Sequence, residues 1–98
     1  MKYVVTWFAS EGLSEEDAAR SREVFATWAP SEGVNFEQFL GRVDGRGGFA
    51  VVTTDDPSLL ARTTAIFGAW YAMEVTPVLE IGDSAAIEGE AVEFRAAV

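Results

Sequence analysis

Apolar residues recur along this chain with two different periods. In some stretches every second residue is apolar, which predicts β-strands, and in others the spacing is three or four residues, which predicts amphipathic helices. The resulting order is strand, helix, strand, strand, helix, strand, with a third helix in the tail. The predicted strands are Lys2–Ala9, Val34–Val43, Gly48–Thr54 and Ala72–Ile81, and the predicted helices follow caps at Ser14 and Asp56 or lie within Asp83–Val98.

The first and third predicted strands are apolar on both faces, because side chains alternate along a strand. One face of the first strand carries Tyr3, Val5 and Trp7 and the other carries Val4, Thr6 and Phe8, while Phe49 and Val51 oppose Ala50 and Val52 in the third. Strands of this kind lie in the middle of a sheet whose two surfaces are both covered.

The second and fourth predicted strands have the features of sheet edges. Pro77 has no backbone N–H to donate to a neighbouring strand, and Glu37 and Gly41 interrupt the apolar pattern of the second strand. Asp44-Gly45 begins a tight turn between the second and third strands. Regular alternation would place Phe36 and Leu40 on one face of the second strand, and Glu37, Phe39 and Val43 on the other.

Two central and two edge strands fit a ferredoxin-like α+β fold, in which the antiparallel sheet has the order 4-1-3-2. The two helices of the βαββαβ unit then lie on one surface of the sheet. The opposite surface of the central strands remains apolar, and large apolar patches rarely stay exposed. The sequence therefore predicts a homodimer in which a second copy covers the open surface of the sheet.

The tail permits two interpretations. Apolar residues recur at helical spacing in Ile87, Ala91, Phe94 and Val98, which predicts an amphipathic helix. Gly89 weakens that helix, because glycine is a poor helix former. A short strand through Ala91–Val98 is the competing interpretation.

Composition excludes several kinds of chemistry. The 98 residues are expected to form one domain, residues 1–98, and the net charge of −9 disfavours nucleic acids and anionic membranes as partners. The chain has no cysteine and no histidine, which removes disulfides, thiolate and histidine metal ligands, and Ser-His-Asp machinery. We expect neither a metal nor a cofactor. The start of the chain has no signal-peptide pattern, which predicts a cytoplasmic protein.

Three segments together resemble a known family. The segments KYVVTW, GGFAVVTTDDP and EVTPVLEI are similar to those of a bacterial family of short proteins of unknown function. The resemblance covers nearly the whole chain and implies the dimeric α/β-barrel form of the ferredoxin-like fold. Relatives in the wider superfamily include cofactor-independent monooxygenases, haem-degrading enzymes and ligand-binding barrels. The haem-degrading pattern relies on a histidine that this chain lacks, and no catalytic residue is carried over.

An unusually large set of aromatic residues provides the candidate ligand site. Aromatic residues at helical spacing most often form a packed core. The functional alternative is a cleft between sheet and helices that holds an apolar or aromatic ligand. Asn35 is the only asparagine and would orient a polar group of that ligand, unless it is simply a turn residue. The candidate ligand-binding residues are Trp7, Trp28, Asn35, Phe67 and Trp70.

Charged residues near the hairpin offer weaker candidates. Arg42 and Arg46 flank Asp44 and could bind an anion, but solvated turn charges are the favoured interpretation. Asp55 and Asp56 read as a helix cap and its neighbour rather than as a metal pair.

The sequence leaves two classes of function open. The first is a non-enzymatic homodimer that binds a small molecule or a protein partner, including the case of an accessory subunit. The second is a cofactor-independent, monooxygenase-like enzyme that acts on an aromatic substrate. Without histidine, its base would have to be a carboxylate or the substrate itself.

Overall fold

A computed structural model describes residues 1–98, and the order of its elements is βαββαβα. The strands and helices alternate as the apolar periodicity predicts, with each boundary within a few residues of the predicted one. The elements are β1 (Lys2–Ala9), α1 (Glu15–Thr27), β2 (Asn35–Gly41), β3 (Gly47–Thr53), α2 (Ser58–Phe67), β4 (Tyr71–Val78) and α3 (Ile81–Ala96).

The four strands form one antiparallel sheet with the order β2-β3-β1-β4. The predicted order 4-1-3-2 is therefore confirmed, and the fold is of the ferredoxin-like α+β class. β1 lies between β3 and β4, with Val5 opposite both Ala50 and Val75. Pro77 lies in the edge strand β4, where proline is tolerated although it has no N–H to donate to a neighbouring strand.

The two surfaces of the sheet differ in what covers them. The helix face, which α1 and α2 cover, carries Tyr3, Val5, Trp7, Phe36, Phe39, Ala50, Val52 and Met73. The open sheet face carries Lys2, Val4, Thr6, Phe8, Gln38, Leu40, Phe49, Val51, Glu74 and Thr76. The core lies on the helix face, where Tyr3, Val5, Ala50 and Val52 are buried against Leu60 of α2. Nothing in the protomer covers the other face, and its Phe8, Leu40 and Phe49 are exposed.

A β-bulge in β2 overturns the face assignment that regular alternation predicts. Phe36 pairs with Val52, but the next paired residue, Gln38, is opposite Val51, so Glu37 is the extra residue. An extra residue shifts the alternation of every side chain that follows it. Phe36 and Phe39 therefore share the helix face, whereas Leu40 turns to the open sheet face.

Side-chain caps fix the beginnings of α1 and α2 as the sequence predicts. Ser14 Oγ accepts a hydrogen bond from the Asp17 backbone N–H at 3.0 Å. Asp56 Oδ1 accepts from the Ser58 backbone N–H at 3.0 Å and from the Ser58 hydroxyl at 2.6 Å. Pro57 between them already has helical dihedral angles, with φ −64° and ψ −16°. These bonds satisfy backbone donors that have no partner within the first turn of a helix.

The cap of α2 makes stability depend on pH. The hydroxyl and backbone N–H of Ser58 hold the pKa of Asp56 below its usual value of 3.8, because they bind the charged carboxylate. A pKa that is lower in the folded chain means that this stabilisation is complete above about pH 4 and is lost as the pH falls through the folded-state pKa. The melting temperature of Asp56→Asn should therefore fall less than that of the native chain between about pH 5 and pH 3, because asparagine also caps helices but does not titrate. Thermal melts followed by circular dichroism measure both, and equal losses would contradict the assignment.

The tail is helical, so the competing strand interpretation is wrong. α3 runs from Ile81 to Ala96, and none of its residues is buried. It extends the molecule to 60 Å along its longest axis and raises the radius of gyration to 17.3 Å. A compact chain of this length would have a radius of gyration of about 13 Å. No helix of the chain has the length and apolar character needed to cross a membrane.

Candidate functional site

A cavity of about 570 Å³ lies between the helix face of the sheet and the two helices α1 and α2. Its size is within the range of small-molecule sites, which are typically about 300–1,000 Å³. Eleven of its fifteen lining residues are hydrophobic, so it favours apolar groups. The lining residues are Val5, Trp7, Ser21, Arg22, Phe25, Trp28, Phe36, Phe39, Gly41, Ala50, Leu60, Thr63, Phe67, Tyr71 and Met73.

Seven aromatic residues line this cavity, and the rings of six of them contact one another. Most of these contacts are edge-to-face or tilted, and that of Phe25 with Trp28 is stacked. We call Trp7, Phe25, Trp28, Phe36, Phe39 and Phe67 the aromatic cluster. The ring centres of Trp7 and Phe39 are 5.5 Å apart, and so are those of Trp28 and Phe67. In both pairs the rings are nearly perpendicular. Phe25 and Phe39 are still 51% and 43% exposed. The rings therefore border an accessible space, and they do not form a sealed core.

A glycine in β3 makes room for the Trp7 side chain. Gly48 is opposite Trp7 in the sheet, and Trp7 Cζ2 lies 2.6 Å from the position that a Cβ atom on Gly48 would occupy. The carbonyl oxygen of Leu40 blocks the same position. Only glycine permits this close approach of ring and backbone. The sequence pattern marks Gly48 as the end of a turn and the start of a strand, but not as a residue that shapes the cavity.

Few polar groups line the cavity. The Ser21 hydroxyl is satisfied, because it donates to the Ala18 carbonyl oxygen at 2.8 Å within α1. Arg22 is the only charged lining residue and takes part in no ion pair of the protomer. Its neighbours three and four residues away along α1 are alanine or phenylalanine, so no carboxylate of the helix reaches it. By contrast, Arg20 pairs with Glu23 at 3.2 Å.

The structure brings three of the five candidate ligand-binding residues together. Trp7, Trp28 and Phe67 line the cavity. Asn35 is exposed at the start of β2, where it pairs with Thr53, and it is not a lining residue. Trp70 is half-buried beyond the end of α2, outside the lining, and its carbonyl oxygen accepts from the Ser10 N–H at 3.0 Å. Ligand binding by these residues remains a prediction.

Twelve of the fifteen lining residues are not among the five candidates, and Phe36, Phe39 and Arg22 are three of them. Phe36 and Phe39 face the cavity together only because of the bulge at Glu37, which no local sequence signal announces. Arg22 falls on the apolar face of α1, where the sequence suggests only that its aliphatic stem packs against the core. The sequence carries one signal that points to Arg22. No acidic residue lies three or four positions from it along the helix, so it has no partner there.

The arginine beside the hairpin is already paired. Arg42 Nε donates to Asp44 Oδ1 at 3.0 Å, and the Arg46 backbone N–H donates to the same carboxylate oxygen at 3.0 Å. These contacts, led by Arg42, lower the pKa of Asp44 from its usual 3.8. The guanidinium carbon of Arg42 also lies 5.0 Å from the centre of the Phe8 ring. Arg42 is thus engaged within the protomer, which favours the turn interpretation over anion binding.

Comparison with known proteins gives one family. A model for DUF3303, described as a domain of unknown function, matches residues 1–92. The matched range covers all four strands, α1, α2 and most of α3. No curated protein matches the chain.

Proposed function

The chain belongs to the DUF3303 family of domains of unknown function, and we propose that it is a homodimer that binds a small aromatic molecule in the cavity between its sheet and helices. The observation that carries this proposal is the combination of a cavity of about 570 Å³ with the six bordering rings of the aromatic cluster. Rings at these distances offer faces and edges to a planar ligand, which adds to the energy of burying its apolar surface.

Arg22 indicates which aromatic molecules would bind best. It is the single charge among the lining residues and has no partner in the protomer. A guanidinium binds a carboxylate through two parallel hydrogen bonds, and it also donates charge-assisted hydrogen bonds to the single oxygen of a phenolate. We therefore propose an aromatic ligand with an acidic group, whose ring contacts the aromatic cluster and whose anion contacts Arg22.

A fluorescence titration tests this proposal. Binding of 1-naphthoate should change the fluorescence of Trp7 and Trp28, and 1-naphthamide should bind about tenfold more weakly because it lacks the charge. Arg22→Gln should remove the preference for the acid, and Thr63→Phe should weaken both compounds at least about tenfold by filling the cavity.

The matched control is Ala65→Phe, which adds the same ring to an exposed position of α2 outside the lining. This variant should bind both compounds like the native chain. Equal affinities in the native chain, Thr63→Phe and Ala65→Phe would show that the ligand lies elsewhere.

The enzymatic alternative has less support. No aspartate or glutamate lines the cavity, so a carboxylate base is not in place there. A monooxygenase reaction at this site would have to begin with a substrate that is already ionised, with Arg22 as the group that favours the anion. We expect no oxygen consumption above the protein-free rate with a panel of naphthohydroquinones. Consumption that Thr63→Phe abolishes would favour the enzyme.

The proposed homodimer follows from the open sheet face. Phe8, Leu40 and Phe49 are exposed on it, and Val51 between them is half-buried. Helices cover only the other face, so two protomers can cover their open sheet faces by placing them against each other. This arrangement leaves both cavities on the outer sides of the dimer, where ligands can reach them.

A further inference from the structure

The helix α3 presents apolar residues that nothing in the protomer covers. Ile87, Val92 and Phe94 are 54%, 56% and 71% exposed. At 3.6 residues per turn they belong to two stripes, one with Ile87, Ala91 and Phe94 and the other with Ile81, Ala85, Val92 and Ala96. The acidic residues Asp83, Glu90 and Glu93 separate the two stripes on one side. Ser84, Glu88 and Arg95 separate them on the other, narrower side, which carries charges of both signs. A helix of 16 residues that buries nothing is marginally stable in water, so its stability must come from a surface against which it packs.

The accessible surface area of the protomer indicates how much surface a partner could bury. Its accessible surface is 7086 Å². A compact monomer of 10.6 kDa would expose about 5,500 Å², so the excess is about 1,600 Å². Obligate dimers bury about 1,000–2,500 Å² on each subunit. The excess therefore falls within the range that one protomer buries in such a dimer.

The base of α3 is held on the same side of the protomer as the open sheet face. Lys2 belongs to that face, and its Nζ donates to Glu80 Oε1 at 2.6 Å, one residue before the helix begins. Lys2 Nζ also pairs with Glu37 Oε2 of β2 at 3.2 Å. Both carboxylates raise the pKa of Lys2, Glu80 more than Glu37, so the lysine stays charged. The two uncovered apolar surfaces thus meet at Glu80, and one partner can cover both.

We propose that α3 is a dimerisation arm that packs along a second copy of this chain, continuing the contact made by the open sheet faces. This inference rests on the proposed homodimer. In a dimer with two-fold symmetry this contact occurs twice, because the α3 of each protomer packs against the other protomer. At 1.5 Å per residue the helix is about 24 Å long, enough to extend well beyond its own protomer along the partner. The acidic side of the arm, with Glu90 and Glu93, remains in water.

Charge substitutions on the arm test the proposal, because these positions are exposed in the protomer and do not contribute to its fold. Ile87→Glu and Phe94→Glu each place a carboxylate in an apolar stripe. Each should raise the dimer dissociation constant at least about tenfold, since a charge within an interface must lose its water. The matched control is Ala86→Glu, which adds the same charge next to Ile87 but on the acidic side, one turn before Glu90. It should dissociate like the native chain.

Sedimentation equilibrium measures the dissociation constants, and circular dichroism checks that each variant is folded. Dissociation constants for Ile87→Glu and Phe94→Glu equal to that of Ala86→Glu would overturn the arm, and would leave the sheet-mediated dimer in place if Val51→Asp still gave a monomer. A native chain that is a monomer at micromolar concentration would overturn both the arm and the proposed homodimer. Ligand binding by such a monomer would still support the cavity as the binding site.

Discussion

The Val51→Asp variant should sediment as a folded monomer. Val51 lies at the centre of the open sheet face, between Val4 of β1 and Gln38 of β2. In the proposed dimer the new carboxylate would be trapped between two sheets, and removing a charge from water without a partner costs several kcal/mol. The dissociation constant should therefore rise at least about a hundredfold, because each 1.4 kcal/mol corresponds to a factor of ten.

Val51 is only half-buried in the protomer, so the aspartate stays partly in water there and the monomer should remain folded. Ala19→Asp adds the same charge to an exposed position of α1 and should remain dimeric. Sedimentation equilibrium and circular dichroism distinguish dissociation from unfolding. A folded Val51→Asp dimer with native affinity would rule out an interface across the open sheet face.

Gly48→Ala should strongly destabilise the protomer. A Cβ atom at position 48 would collide with the Leu40 carbonyl oxygen and lie 2.6 Å from Trp7 Cζ2. Relief requires the indole ring to leave its place or β2 and β3 to separate, and overpacking of this kind costs about 3 kcal/mol. For a domain of this size the melting temperature should fall by roughly 12–24 °C at a fixed protein concentration.

Gly41 provides the matched control, because it is the residue opposite Gly48 in the sheet and a Cβ atom there would meet nothing within 4 Å. Gly41→Ala should leave the melting temperature nearly unchanged. Thermal unfolding followed by circular dichroism compares the two variants directly. Similar melting temperatures would mean that neither the Trp7 ring nor the Leu40 carbonyl oxygen occupies the space above Gly48.

Local sequence signals predicted the topology because each one constrains the backbone by itself. Pro57 and Asp56 mark the start of a helix, Asp44-Gly45 marks a hairpin, and Pro77 restricts its strand to an edge. Apolar residues on both faces of β1 and β3 indicated the two central strands. These independent signals agree on one strand order, and the structure has that order.

The candidate site was harder to predict, because it depends on which side chains meet in space. The bulge at Glu37 turned Phe39 toward Phe36 and toward the cavity. Trp70 continued the helical period of α2, but α2 ends at Phe67 and Trp70 lies outside the cavity lining. Asn35 is a candidate because of its residue type, and its exposed position at the start of β2 lies outside the cavity lining.

Periodicity and turn chemistry act over a few neighbouring residues, so they establish the order of elements, the central and edge strands and the two helix caps. Three features follow instead from the three-dimensional packing: the aromatic rings border a cavity, Arg22 is unpaired beside it, and α3 stands away from the body. Those features depend on the spacing between a sheet and its helices and on a one-residue bulge. Such distances arise from the packing of residues far apart in the chain, and no local pattern records them.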